Sequence, residues 1–225
     1  MSFKKKILPF TLLLSFAACA PETGESEPEA APTEGRDPRD AAALADNPLC
    51  VLETTMGTIV LQLDRVNAPR SVNNFEVHVN AGFYNGVQFH RVMPNFVIQA
   101  GLLTADYAPR RSSAAFLQNE GDNGLKNVRG SVAMARGQDP HSAKSEFFIN
   151  VKDNPQLDTD EEEWGWAVFG QVIEGMDVVD RIKDVPTRTR GTREDIPVDA
   201  ILIERAYMTT LELRQTSTDT TAAAG

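Results

Sequence analysis

The residues best suited to chemistry lie in the stretch FHRVMPNFVIQAG, residues 89–101, where two long polar side chains interrupt apolar sequence. Arg91 is a permanent cation, and Gln99 is an amide further along the same run. Alternation with a period of two puts Phe89 and Arg91 on one face of a strand. The same alternation puts Val97 and Gln99 on one face of the next strand. Such a site can bind and polarise a substrate, but it holds no nucleophile or general base.

Other residue combinations that could support catalysis lack the context that their chemistry requires. Ser142, Ser145 and His141 are residue types of a hydrolase, but a G-x-S-x-G turn is missing from the sequence. The acidic run at residues 161–163 is typical of a solvated loop. His90 alternates with the arginine that follows it, so we expect a satisfied core or surface histidine that faces away from that arginine. With three histidines and two cysteines at no ligand spacing, the sequence predicts no metal site and no cofactor.

The elements that must position these residues begin with a hairpin and a helix. Residues 50–64, CVLETTMGTIVLQLD, alternate around a Met56–Gly57 turn and predict a β-hairpin. Residues 68–86 predict an amphipathic helix, and Gly82 and Gly86 end it. The apolar face of this helix consists of Val72, Phe75 and Val79.

The rest of the domain reads as short strands and a second helix. The opening stretch predicts two strands that a turn at Met93-Pro94-Asn95 joins. Residues 174–185 predict a short amphipathic helix that Pro186 stops. Further strands are predicted within residues 130–137, 145–151, 165–173 and 199–209. Many short strands without βα alternation predict a mainly β fold that is closed or nearly closed.

The N-terminus has the layout of an export signal. In residues 1–18, Lys4–Lys6 precede an apolar run that is too short to span a bilayer. Two alanines precede Cys19, which resembles the lipobox of bacterial lipoproteins, although Phe16 stands where Leu is usual. We expect cleavage before Cys19 and lipidation of its thiol, which would anchor the chain to a membrane. The alternative is a plain signal peptide that contains a cysteine.

Composition divides the remaining chain into three parts. Residues 19–47 contain the lipidation site and a tether with eight acidic residues, two arginines and four prolines, which we expect to be disordered. Residues 48–210 form the predicted domain, and residues 211–225 form a tail. The formal net charge is −10 and the basic residues are scattered, so nucleic acid is not an expected partner. We expect a monomer. We also expect no disulfide within the chain, because acylation of Cys19 leaves Cys50 without a partner.

Four long motifs, in order, resemble those of cyclophilin-type peptidyl-prolyl cis-trans isomerases of the bacterial exported kind. The motifs are FYNGVQFHRVMPNFVIQAG, NEGDNGLKNVRGSVAMARG, DPHSAKSEFFINVKDN and WGWAVFGQVIEGMDVVDRI. The resemblance covers roughly residues 49–208. It implies a closed eight-stranded antiparallel barrel capped by two helices, an isomerase without cofactor, and proline-containing polypeptides as substrates. With the export signal, it places the enzyme on the periplasmic side of a bacterial membrane. The residue after Cys19 is Ala20 and not the Asp that retains many lipoproteins at the inner membrane, which favours the outer membrane.

The resemblance also implies the site residues. Catalysis is assigned to Arg91, Phe96 and Gln99. Phe96 has the wrong strand parity to join the other two, so the turn before it must re-aim its ring. Substrate binding is assigned to a larger set along the groove: Val97, Met134, Ala135, Arg136, Glu146, Phe148, Leu157 and Trp166.

The sequence departs from the family pattern at three of the groove positions and at Gln156. Val97 stands where Met is common, and Trp166 where His or Tyr is common. Gln156 stands where an aromatic residue often binds cyclosporin, so sensitivity to that drug is open. Glu146 replaces the usual Gln and brings a carboxylate to the groove. Two hypotheses follow: an active isomerase for exported proteins, or a proline-peptide-binding or chaperone module with little catalysis.

Overall fold

The computed structural model of the chain describes residues 47–210. The predicted signal peptide, the lipidation site at Cys19, the tether up to residue 46 and the tail from residue 211 lie outside the described residues. The helices are α1 (Pro69–Asn80) and α2 (Met176–Lys183), with a 3-10 turn at Pro155–Leu157. The strands are β1 (Leu49–Thr54), β2 (Gly57–Leu63), β3 (Val87–Gln88), β4 (Arg91–Val92), β5 (Val97–Ala100), β6 (Ser131–Met134), β7 (Phe147–Asn150), β8 (Val168–Glu174), β9 (Thr187–Arg190), β10 (Arg193–Pro197) and β11 (Leu202–Thr209).

Nine of these strands form one curled antiparallel sheet in the order β3-β11-β1-β2-β8-β6-β7-β5-β4. Its two edge strands, β3 and β4, are separated in the chain only by Phe89 and His90. The backbone changes partner there: the Phe89 N–H donates to Ile201 at 2.9 Å, and the His90 N–H donates to Gln99 at 3.0 Å. The mainly β fold with two helices is confirmed. The closed eight-stranded description is slightly wrong, because the curled sheet has nine strands and its edge strands β3 and β4 do not pair with each other.

Helix α1 has the predicted apolar face. Pro69 occupies the first turn, where its missing N–H costs nothing. Val72, Phe75 and Val79 are buried, and the helix ends before Gly82. The Phe75 ring packs centrally in the main core, with centroids 5.1 Å from Tyr84, 5.3 Å from Phe147 and 5.2 Å from Phe169.

Helix α2 begins after a glycine that the packing requires. Gly175 has a φ of 86°, and a Cβ there would lie 2.3 Å from the carbonyl oxygen of Thr58. Only glycine combines that backbone conformation with so close an approach to β2. Helix α2 confirms the predicted amphipathic helix but is two residues shorter at each end, with Val178, Val179 and Ile182 buried.

A second, two-stranded sheet formed by β9 and β10 was not predicted. Its strands are short and rich in arginine, so they carry no apolar alternation that could have revealed them. Cys50 is a buried free thiol, and burial, with a smaller contribution from Glu76, raises its pKa. No helix within residues 47–210 is long and apolar enough to cross a membrane.

We expect Phe75→Ala to lower the free energy of unfolding by about 3–5 kcal/mol, because it removes a fully buried ring that three other rings surround. Urea unfolding followed by tryptophan fluorescence measures the change. Val77→Ala on the same helix is the control, since that side chain is 58% exposed, and we expect a change of about 0.5 kcal/mol or less. Equal effects of the two substitutions would contradict the assigned core.

Candidate active site

A pocket of about 140 Å³ opens on the face of the sheet opposite the main core. Its apolar surface comes from a separate cluster of buried side chains, which we call the pocket cluster. The pocket cluster consists of Val97, Ala133, Ala135, Phe148, Leu157 and Val168. The residues that line the pocket are Arg91, Phe96, Val97, Gln99, Ala135, Arg136, Phe148, Leu157 and Trp166.

Strand register brings the polar side chains to this apolar surface. Arg91 of β4 lies opposite Gln99 of β5, and Gln99 lies opposite Phe148 of β7. Directly opposed residues have side chains in contact range on one face of a sheet. The predicted placement of Phe89 on the same face as Arg91 is wrong, because Phe89 is fully buried in the main core. Phe89 and His90 lie between two strands, so alternation does not extend across them.

The Phe96 side chain lines the pocket, as expected if the turn before it re-aims the ring. The Phe96 N–H donates to the Met93 carbonyl at 3.0 Å, and the Phe96 carbonyl accepts from Val151 at 3.2 Å. These bonds hold a tight turn before β5, and the side chain lines the same pocket as Arg91. The parity of Phe96 is therefore overridden by the turn and not by a bulge within β5.

Met134 does not lie in the groove to which the resemblance assigned it. It is 2% exposed and packs in the main core, whereas its neighbours Ala133 and Ala135 belong to the pocket cluster. The strict alternation of β6 gives the physical reason, because adjacent residues of a strand point to opposite faces.

Arg136 forms a side wall of the pocket together with Trp166. Its guanidinium lies 4.3 Å above the Trp166 ring, which is a close cation–π contact. It also donates to the carbonyl oxygens of Trp164 at 2.5 Å and Gly165 at 3.4 Å. Burial lowers the pKa of Arg136, and the charges of the nearby carboxylates act in the opposite direction. Backbone carbonyls and an aromatic face hold the side chain in place, and it forms no ion pair within residues 47–210.

Glu146 connects the pocket to a buried histidine. The Gln99 amide donates from Nε2 to Oε2 of Glu146 at 2.9 Å. His90 Nε2 lies 3.4 Å from the same oxygen. The His90 side chain is buried, and its Nδ1 atom has no hydrogen-bond partner among residues 47–210. The expectation of a satisfied histidine is therefore wrong for that nitrogen.

Comparison with known proteins decides the family. The family model for cyclophilin type peptidyl-prolyl cis-trans isomerase/CLD matches residues 49–208. The chain belongs to the cyclophilin-type isomerase family. Its curated relatives carry the same activity in their names, and this chain is a peptidyl-prolyl cis-trans isomerase.

The curated relatives of this cyclophilin match about two thirds of its chain. It is 49% identical over 158 residues to the peptidyl-prolyl cis-trans isomerase cyp18 of Streptomyces antibioticus, covering 69% of this chain and 95% of that protein. It is 43% identical to peptidyl-prolyl cis-trans isomerase B of Escherichia coli, covering 69% of this chain and 96% of that protein. A crystal structure of a cyclophilin type isomerase from Cryptosporidium parvum shares the fold, with a TM-score of 0.61, 22% identity and coverage of 73% of this chain and 98% of that one.

Behind the cyclophilin pocket lies a buried polar network that sequence reasoning missed. The Asn150 amide donates to Ser131 Oγ at 2.9 Å and to Asn127 Oδ1 at 3.1 Å. Asn154 donates to Asn150 Oδ1 at 2.7 Å and to the Phe96 carbonyl at 2.9 Å. The one available signal was an Asn at the end of the apolar run FFIN. The network fixes the backbone that carries the Phe96 ring.

We expect Asn154→Ala to raise the KM for a prolyl peptide, because the Phe96 carbonyl loses its side-chain donor and the ring loses its fixed position. The substitution should also cost about 1–3 kcal/mol of stability, since the buried Asn150 Oδ1 and the part-buried Phe96 carbonyl both lose a donor. Steady-state kinetics and urea unfolding measure the two effects. Asn73→Ala, at an exposed position of α1, is the matched control. An unchanged KM in a folded Asn154→Ala variant would refute the positioning role.

Proposed function

We propose that this isomerase stabilises a twisted X–Pro amide between Arg91 and the apolar pocket. Rotation about an amide has a barrier of about 18–20 kcal/mol, because the C–N bond has partial double-bond character. X–Pro bonds populate both isomers and exchange over roughly tens to hundreds of seconds. A catalyst must therefore bind the twisted amide, in which the nitrogen has lost conjugation, more tightly than either planar isomer.

The apolar residues supply a surface for the pyrrolidine ring. Phe96, Val97, Phe148 and Leu157 line the pocket, and the last three are buried in the pocket cluster. An apolar ring gains free energy on leaving water for such a surface. With the ring held there, the carbonyl that precedes proline is the part of the substrate that rotates.

Arg91 is the observation that carries the proposal. It is half-buried beside the apolar pocket, and it forms no ion pair with any residue from 47 to 210. Its N–H groups are therefore available to the substrate. A guanidinium is permanently charged and weakly hydrated, so it can donate to the prolyl nitrogen or to the displaced carbonyl oxygen. Gln99, opposite Arg91 in the register, would hold the substrate backbone.

We expect Arg91→Ala to lower kcat/KM for a prolyl peptide by about a hundredfold to a thousandfold, the usual effect of removing one donor to a transition state. Arg91→Lys should recover only part of this loss, because an ammonium cannot present the planar fork. Exchange rates measured by NMR on a proline peptide report the activity directly. Arg205→Ala is the control, because Arg205 is exposed and does not line the pocket.

The same assay separates the isomerase from a binding or chaperone module with little catalysis. The bond from Gln99 to Glu146 favours that second candidate, because it occupies a donor that a substrate would otherwise use. A wild-type rate near background that rises in Glu146→Gln would support the module. An unchanged rate in a folded Arg91→Ala variant would reject the mechanism.

The isomerase is further proposed to act as a monomer on exported polypeptides, with the lipidated Cys19 holding it to the periplasmic side of a bacterial membrane. Support comes from the basic, apolar and small-residue order of residues 1–19. The acidic residues 20–46 would then lie between anchor and domain.

We expect Cys19→Ser to abolish incorporation of labelled palmitate and to move the protein from the membrane fraction to the soluble fraction, because the acceptor thiol is lost. The test uses the full chain in a bacterium that processes lipoproteins. Cys50→Ala removes the other cysteine and should keep the label. A wild-type chain that is exported but carries no label would support a plain signal peptide.

A further inference from the structure

A second cleft, of about 600 Å³, adjoins the pocket and is lined by basic side chains. It shares Gln99, Ala135 and Arg136 with the pocket, so one bound chain could occupy both. We call it the basic cleft, after the five cations Arg110, Arg111, Arg136, Lys144 and Arg193 that line it. Glu146 is the single carboxylate among its lining residues.

Local structure holds three of these cations in position. The Arg110 backbone N–H donates to the Leu102 carbonyl at 2.7 Å, and its guanidinium lies 5.5 Å from the Phe83 ring centre. The Lys144 ammonium lies 4.5 Å from the ring centre of Phe116, which is itself 66% exposed. Arg136 is held against Trp166. Less ordering entropy is lost on binding when the cations are already positioned.

The β9–β10 hairpin adds positive charge at the edge of the basic cleft. Arg193 lies directly opposite Arg190 in the register of the two strands. Like charges at directly opposed positions destabilise a strand pair. Arg190 stacks over Tyr107 at 3.9 Å, while Arg193 is exposed and lines the cleft. An anion bound in the cleft would relieve this repulsion.

None of these cations has a carboxylate within ion-pair distance among the described residues. The five cations of the basic cleft and Arg190 form no ion pair within 4 Å among residues 47–210. Elsewhere in the same range, Arg129 and Arg181 each pair with a carboxylate at 2.7 Å. Residues 47–210 contain 22 acidic and 16 basic residues, a net charge of −6. The concentration of unpaired cations beside the pocket therefore runs against the overall charge of the domain.

We propose that the basic cleft binds an acidic segment that flanks the proline of a substrate polypeptide, so that the enzyme prefers X–Pro bonds with nearby Asp or Glu. This preference rests on the proposed function, because the cleft and the pocket act on one chain. Carboxylates match guanidinium donors in charge and geometry. A polypeptide fits better than a nucleic acid, since the net negative domain repels a long polyanion while a short acidic segment meets only the cleft.

The first test compares three peptides that share one X–Pro bond and carry glutamate, alanine or lysine at the flanking positions. We expect kcat/KM for the glutamate peptide to exceed that for the alanine peptide by about tenfold, mainly through a lower KM. The lysine peptide should be the poorest substrate. The difference should shrink as the salt concentration rises from about 0.05 M to 0.5 M, because salt screens exposed charges.

The second test removes charge from the basic cleft. Arg111 and Arg193 are exposed and their side chains form no hydrogen bond or ion pair among residues 47–210, so a double substitution to Gln breaks no such bond there. We expect the ratio of kcat/KM for the glutamate peptide over the alanine peptide to fall at least threefold. Double substitution to Glu leaves three cations and three carboxylates in the lining, so it should abolish the preference for the glutamate peptide over the lysine peptide. Arg205→Gln removes one exposed arginine outside the cleft and should keep the wild-type ratio.

The outcomes separate this inference from the proposed function. Turnover of all three peptides at equal kcat/KM would overturn the acidic preference and leave the isomerase mechanism standing. Turnover of none would overturn the mechanism. In that case, fluorescence anisotropy with a proline-free glutamate peptide still tests the cleft: binding by the wild type that the double Gln variant loses supports it. Tighter binding of a single-stranded oligonucleotide at equal salt would overturn the choice of a polypeptide partner.

Discussion

Two-sided burial of three neighbouring strands is the constraint on which the rest of this structure depends. In β5, β6 and β7, residues of the main core alternate with residues that face the other side of the sheet, among them Val97, Ala133 and Phe148 of the pocket cluster. Ile98, Val132 and Phe147 lie on the core face. A one-residue slip in register would exchange the two faces of a strand. The pairing that stabilises the fold therefore also sets the lining of the active site.

This arrangement explains how a cation is tolerated beside so much apolar surface. Arg91 sits at the edge strand β4, where its side chain reaches the rim of the pocket and stays half-buried. Full burial of an unpaired charge would cost several kcal/mol. Partial exposure avoids most of that cost and leaves the guanidinium donors open to a ligand. The edge of the sheet is thus a functional position here and not only a boundary.

Preorganisation of the site comes from polar groups that lie behind it. The Asn150–Asn154 pair is fully buried and bonds to the backbone of the turn that carries Phe96. Satisfied buried networks of this kind fix a single arrangement of the groups that they join. Beside the pocket the balance is different, since the basic cleft gathers cations that form no ion pair among residues 47–210. Rigidity therefore lies behind the pocket, and unpaired charge lies beside it.

Local pattern was enough to predict much of this protein. Residues close together in the chain were enough for the hairpin of β1 and β2, both helices, Arg91 beside Gln99, and the family resemblance, because alternation and helical period are local properties.

Tertiary structure alone decided the rest. Phe89 lies in the main core and Arg91 lines the pocket, because the backbone changes partner from β11 to β5 between them. Met134 lies in the main core because tertiary packing decides which of the two faces of β6 meets the core and which meets the pocket. The cations of the basic cleft meet because loops far apart in sequence fold to one place. Partner choice and loop convergence depend on contacts between distant residues, and no short stretch of sequence encodes them.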